Sequence, residues 1–303
     1  MELIPARVLT LARLSLGYTL DVVAAGLAGL SPTDALLVLA INQANIAPLT
    51  RDPDARRAYG DLQHAAPDSA RRPATINAIA NSLGIPFETA RRRLKRLESQ
   101  GICIITPGAG VVVPEAWLTS PTYLASVMAA HDRTVRLYAD LLTGDRLDPL
   151  PPPAYDVQDG IPFRGAARLI ADYILRSIES LHRVAGDLPT ALALLAVLDA
   201  ALDAPDAAEG AGFGAASASA LARRVRLPGE TMRRHLVALI DAGLCVRTDK
   251  GLSLAPDLLS RPEIRHVIEE HAADVQRLFA GLAERGVVAA WEQAGAAAPR
   301  RRA

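Results

Sequence analysis

INAIANSLGIPFETARRRLKRLESQGIC, residues 76–103, decides how the rest of the chain is read, because it returns 142 residues later as ASALARRVRLPGETMRRHLVALIDAGLC, residues 218–245. The copies share Ala78/Ala220, Ala80/Ala222, Pro86/Pro228, Glu88/Glu230, Thr89/Thr231, Arg91/Arg233, Arg92/Arg234, Leu94/Leu236, Leu97/Leu239, Gly101/Gly243 and Cys103/Cys245. A small unit kept twice with its polar residues intact points to one task performed twice.

The physical reading of the unit starts at Thr75, which is suited to cap a helix running to Leu83, with Gly84 in the left-handed position that ends it. Pro86 favours the first turn of a second helix over 87–99. There Ala90, Leu94 and Leu97 share one face, Glu88, Arg92, Lys95 and Ser99 point the other way, and Arg91 and Arg96 lie on the flanks. Gly101 stops the helix. Strands are expected at 102–106 and 111–113, with Gly108 and Gly110 permitting a hairpin between them. In the second copy Met232, Leu236 and Leu239 face inward, and Glu230, Arg234 and Val237 face outward. Strands at 245–248 and 252–254 flank an Asp249-Lys250-Gly251 turn, with Gly251 suited to positive φ. Arg226 stands where the first copy has Gly84, so that turn is expected to differ. Helix, tight turn, helix and hairpin make a winged helix-turn-helix.

The pattern IAxSLGIPxETxRRxLxRLExxGI, followed by GxGVVVP, resembles the reader head of GntR-type bacterial transcription regulators. The likeness covers residues 75–114 and 217–256 and does not extend to the flanking helices. It implies that the second helix of each unit enters the DNA major groove, while the hairpin wing lies along the backbone or minor groove. By that resemblance Glu88, Thr89, Arg91 and Arg92 lie on one reading helix, and Glu230, Thr231, Arg233 and Arg234 on the other. Lys95 and Arg96 extend the first set and His235 the second, while Arg247 and Lys250 give the second head a basic wing. The chain departs from the family at the first position of the reading helix. Phe87 and Gly229 stand where a polar or basic residue is common.

The chemistry of these side chains agrees with DNA recognition. Arginine can chelate guanine O6 and N7, and glutamate can accept from cytosine N4. A threonine near a helix N-terminus can meet a phosphate alongside free backbone N–H groups. For Glu88 and Glu230 a second reading stands beside this one: helix-dipole partners, paired with Arg92 and Arg234 at i+4. Residues 71–100 hold seven basic and two acidic side chains, and 221–250 hold seven and three. Since the whole chain is neutral, charge is concentrated at the two units, a polarity that can steer DNA.

The duplication reaches beyond the units. LARLSLGYTL (residues 11–20) matches AARLIADYIL (166–175), SPTDALLVLAIN (31–42) answers LPTALALLAVLD (188–199), and RLYADL (136–141) answers RLFAGL (277–282). Copies this long form a duplicated domain, since solenoid repeats are far shorter. The expected halves are therefore 1–142 and 166–285, joined by a Pro-rich linker at 143–165 and followed by a tail at 286–303. Each half opens with two helices, at 13–27 and 33–43 and at 168–184 and 190–201. The second of each pair is apolar nearly all round and is expected to be buried. A short helix is expected within 52–62 and a mobile stretch at 204–216.

Composition bounds the rest. Half the residues are apolar but only 4% aromatic, which favours helices packed through small and medium side chains. Neither 22–30 nor 35–46 is long and apolar enough to span a bilayer, and a cytoplasmic protein is expected. The two cysteines flank no metal-ligand spacing and are expected to be buried and reduced. His131, His266 and His271 show no ligand spacing, and no metal or cofactor is expected. No nucleophile–base arrangement or phosphate loop appears, so an enzyme is not expected. The resulting expectation is a mainly α chain with small β-hairpin wings, whose duplicated winged heads form a pseudo-dimer. Its partner is double-stranded DNA, with a homodimer through the apolar N-terminal helices left open. Two rivals remain: a winged-helix module for protein–protein contacts, and a replication initiator of the plasmid type.

Overall fold

The computed structural model describes residues 4–154, 160–203 and 213–295. It is mainly helical, with two small antiparallel hairpins. In chain order the helices before the first hairpin are α1 (Ala6–Ala25), α2 (Pro32–Arg51), α3 (Pro53–Ala58), α4 (Ile76–Ser82) and α5 (Phe87–Ser99). The hairpin β1 (Ile104–Thr106) and β2 (Gly110–Val112) leads to α6 (Glu115–Leu118) and α7 (Pro121–Leu142). The second series is α8 (Phe163–Ala185), α9 (Leu188–Leu202), α10 (Ala218–Val225), α11 (Gly229–Asp241), β3 (Cys245–Thr248), β4 (Gly251–Leu254), α12 (Pro262–Glu284) and α13 (Val287–Gln293).

Both helix–turn–helix–hairpin units form as their residues predict. Thr75 Oγ1 accepts from the Ala78 N–H and Ser217 Oγ from the Ala220 N–H, capping α4 and α10. Gly84 closes α4 at φ 59°, and Arg226 closes α10 at φ 58°. The same hydrogen bond follows each, Ile85 N–H to Ala80 O at 2.9 Å and Leu227 N–H to Ala222 O at 3.0 Å. The expected difference between the turns is therefore absent, because Arg226 itself takes the left-handed conformation. Its guanidinium donates to the Ala24 and Ala25 carbonyls at the end of α1. In the hairpins Thr106 pairs with Gly110 across a three-residue loop, and Thr248 with Gly251 across a two-residue loop. Ala74 and Ala216 each bridge to the return strand, at Val111 and Leu252. That approach requires glycine next door: a Cβ on Gly110 would sit 2.6 Å from the Ala74 carbonyl oxygen. Gly251 faces Ala216 in the same way.

The described residues divide into two compact units that do not follow the sequence halves 1–142 and 166–285. The first-head unit holds 26–30, 34–154, 160–175 and 276–295; the second-head unit holds 4–25, 31–33, 176–203 and 213–275. The first helix of the first half, α1, thus belongs with the second head, and residues 163–175 of α8 belong with the first. In the second-head unit α1 packs on α9, with Gly17 so close that a Cβ there would lie 3.2 Å from Asp199 Oδ1. Arg13 pairs with Asp203, and Arg224 reaches both Asp21 and Asp199. In the first-head unit Gln43 of α2 donates to the Arg168 carbonyl of α8 at 2.7 Å. The Gly60 carbonyl receives the Arg164 and Gly165 N–H groups of that helix. The physical reason is cover. Leu36, Leu37 and Ile41 of α2, and nearly all of α9, are buried, so both helices need apolar walls on every side.

Other boundaries also move. Helix α2 runs on to Arg51 through Pro48, beyond the expected stop at Gln43. The linker at 143–165 is partly docked, since the Asp148 N–H donates to Gln276 and the Ala154 N–H to the Glu284 carbonyl of α12. The expected tail at 286–303 begins with a helix, α13, whose Trp291 is buried and donates to His131 Nε2 at 2.8 Å. Residues 296–303 of that tail, and 204–212 of the stretch expected to be mobile, lie outside the described residues. By length and composition α1 could cross a membrane, but half of its apolar window is buried within the protein.

Candidate nucleic-acid interface

Each head presents its second helix with an open N-terminus. Pro86 and Pro228 occupy the capping positions of α5 and α11, and neither offers a side-chain acceptor to the first N–H groups. Inward, Ala90, Leu94 and Leu97 hold α5 to its unit, and Met232, Leu236 and Leu239 do the same for α11. Outward, Glu88, Arg91 and Arg92 are exposed and Thr89 half-buried, and Glu230, Arg233, Arg234 and Thr231 repeat that pattern. Glu88, Thr89, Arg91, Arg92 and Lys95 line a shallow depression along α5.

The glutamates settle on one partner in both heads. Arg91 Nε donates to Glu88 Oε2 at 3.0 Å, and an Arg233 guanidinium N–H donates to Glu230 Oε2 at 2.7 Å. These are i+3 pairs, so the expected i+4 pairing with Arg92 and Arg234 does not form. Arg92 and Arg234 have no carboxylate partner among the described residues. Lys95 stays exposed, 3.8 Å from Glu98. In the second hairpin Arg247 lies exposed on β3 and Lys250 at the loop tip. Phe87 is 44% exposed at the first position of α5.

Two expected contact residues are engaged within the protein, His235 buried and Arg96 paired at the surface. His235 is 6% exposed and lies in a hydrogen-bonded chain. Arg234 donates to its Nε2, its Nδ1 lies 2.7 Å from Thr190 Oγ1, and Thr190 donates to Asp187 Oδ2. That order places the ring proton on Nδ1. Burial lowers the pKa of this imidazole, so it stays neutral. His235 is therefore a positioning residue behind Arg234, not a surface contact. Arg96 donates to Asp34, which also receives Arg93 Nη1 at 2.9 Å. Asp34 is 2% exposed, and this pair of arginines satisfies its buried charge. Arg93 and His235 occupy the same place in the two heads. Both tie the second helix of the motif to the start of the apolar helix behind it, one with charge and one without.

The basic surplus of the first head is smaller at its surface than its sequence count. Arg71 is buried, donating to the Ala66 carbonyl and to Asn42, and Arg93 and Arg96 are held by Asp34. Sequence reasoning also missed Asn45. This fully buried residue of α2 donates to the Arg72 and Val111 carbonyls and accepts from the Val113 N–H, fixing the hairpin to the unit. The only signal was a polar residue inside an apolar helix. Cys103 and Cys245 are free and buried, and burial pushes both thiols up to about 12. Among the described residues no three His, Cys, Asp or Glu side chains are grouped to hold a metal ion.

No protein-family model, no curated protein and no solved structure matches the chain. Function has to be read from the residues.

Proposed function

We propose that the chain is a sequence-specific regulator of transcription that binds double-stranded DNA through two winged helix-turn-helix heads. The observation that carries this reading is the matched pair of open helix N-termini followed by one outward set, Glu-Thr-x-Arg-Arg. In each, the glutamate holds the first arginine and leaves the second facing water. The open N–H groups with Thr89 or Thr231 suit a backbone phosphate, and Arg92 or Arg234 suits a guanine edge. The first arginine, held at a fixed angle by its glutamate, is pre-organised for a second base or phosphate. The heads differ in their flanks, Lys95 on one helix and Arg247 with Lys250 on the other hairpin, so the two half-sites are read unequally.

Fluorescence anisotropy on duplex DNA across a salt series tests this. Wild-type protein should bind with strong salt dependence, and Arg92→Ala with Arg234→Ala should reduce the salt slope by about 2. Binding that ignores salt, or ignores the double substitution, sinks the proposal.

Phe87, 44% exposed, and Ile104, 50% exposed, favour a second reading, a module that docks on protein. Under the DNA reading Phe87 meets a thymine methyl group. Phe87→Ala should then weaken binding to a selected operator while leaving random duplex unchanged. If it alters neither, the protein-docking reading gains.

A further inference from the structure

The first-head unit contains a second concave feature, away from α5. A cavity of about 880 Å³ is walled by Gln43, Ala47 and Thr50 of α2, by Arg56 and Arg57 of α3, and by Arg168 and Leu169 of α8. This is within the size range of small-molecule sites. Four arginines line it, the fourth being Arg285, against two aspartates, Asp61 and Asp172. Asp61 is already engaged, its carboxylate accepting from the Gln63 and His64 N–H groups and lying 2.7 Å from His64 Nδ1. Among the described lining residues arginines thus outnumber aspartates by four to two.

Two observations suit the cavity to an anion. Arg56 Nε is buried with no hydrogen-bond partner among the described residues, and an orphaned buried donor is costly. Arg168 is pulled down to about 10, first by burial and then by the guanidinium groups of Arg71, Arg164 and Arg285. It stays charged at neutral pH, in surroundings that an anion would relieve. Its own donor reaches the Tyr59 carbonyl at 2.8 Å, which fixes its direction. Ala47, Leu169, Ile161 and Pro162 supply apolar wall beside the cations.

We propose that this cavity binds a small organic anion, a carboxylate or phosphate carried on an apolar body, and that its occupancy reaches the first head through α2. Gln43 and Ala47 line the cavity, and between them on the same helix Asn45 grips the hairpin through Arg72, Val111 and Val113. At its other end Asp34 holds Arg93 and Arg96 of α5. Helix α2 is thus one wall of the cavity and the backing of the head. The transmission clause rests on the DNA-binding reading; the binding clause does not.

Isothermal titration of the full chain with phenyl phosphate, citrate and inorganic phosphate tests the site. Saturable binding of phenyl phosphate or citrate is expected, weakened about tenfold in each of Arg56→Gln and Arg57→Gln. Thermal melts of both variants, run beside the titrations, separate a lost binding contact from a lost contact within α3. No saturable binding by these probes, or binding unchanged in both variants, overturns the site. DNA anisotropy with and without the bound probe tests the second clause, with a change in affinity expected. An unchanged DNA affinity overturns transmission alone. A chain that binds the probe but no DNA overturns the regulator reading and leaves the site standing.

Discussion

Arg226 holds the same left-handed backbone, φ 58°, that Gly84 holds at the matching position of the first head, φ 59°. For a residue with a side chain that conformation costs about 1 kcal/mol. Arg226 offsets it by donating to the last carbonyls of α1, where a cation also meets the helix dipole. Arg226→Ala keeps the strain and loses the donors, so its unfolding midpoint should fall. Arg226→Gly should be more stable than Arg226→Ala by about 1 kcal/mol. Gly84→Ala should lose a similar amount, as read by urea denaturation. Equal stability of the Ala and Gly variants at 226 would remove strain from the account.

Asn45 is the joint between α2 and the first hairpin. Asn45→Ala leaves the Val113 N–H and the Arg72 carbonyl without their side-chain partner, at roughly 1–3 kcal/mol for each orphaned group. Hydrogen exchange should report it locally, with the Val113 amide losing protection before the amides of α5.

The buried His271 makes the second-head unit sensitive to acid. Burial holds its imidazole down at about 4, with Ser15 Oγ 3.3 Å from Nδ1 and Ser180 Oγ 3.1 Å from Nε2. The unfolded chain takes up this proton near pH 6.5, the folded chain only near 4. Stability from the neutral ring is thus fully present above about 6.5, falls as the pH drops from there, and levels below about 4. The fall should approach about 3 kcal/mol, and His271→Asn should flatten it. A urea midpoint as steep in the variant as in the wild type would contradict this.

Cys103 and Cys245 should resist thiol reagents in the native protein, because burial both hides the sulfur and holds it protonated. Titration with a disulfide reagent near neutral pH should count no fast thiols until denaturant is added. Reaction of either on the timescale of an exposed cysteine would reopen a redox role.

The heads were legible because their elements are set locally. Thr75, Gly84, Pro86 and Gly101 mark ends that the chain needs wherever the unit sits, and α5 forms over the residues its periodicity predicts. What escaped depends on partners distant in sequence. Nothing around Asn45 or Pro48 announces that α2 continues, because the return strand that satisfies Asn45, at Val111 and Val113, lies far along the chain. His235 looked like a surface residue until Thr190 and Asp187 came beside it. Helix α13 was hidden by its Ala-rich surroundings, though Val287, Val288 and Trp291 already share one helical face.

The placement of α1 with α9, and of residues 163–175 with α2, makes the two sequence copies depend on each other. Helix α9 packs on a helix encoded at the start of the chain, and α2 donates to a helix encoded after the proline-rich segment. A cut at that segment would therefore leave each head without a helix that its own copy does not encode.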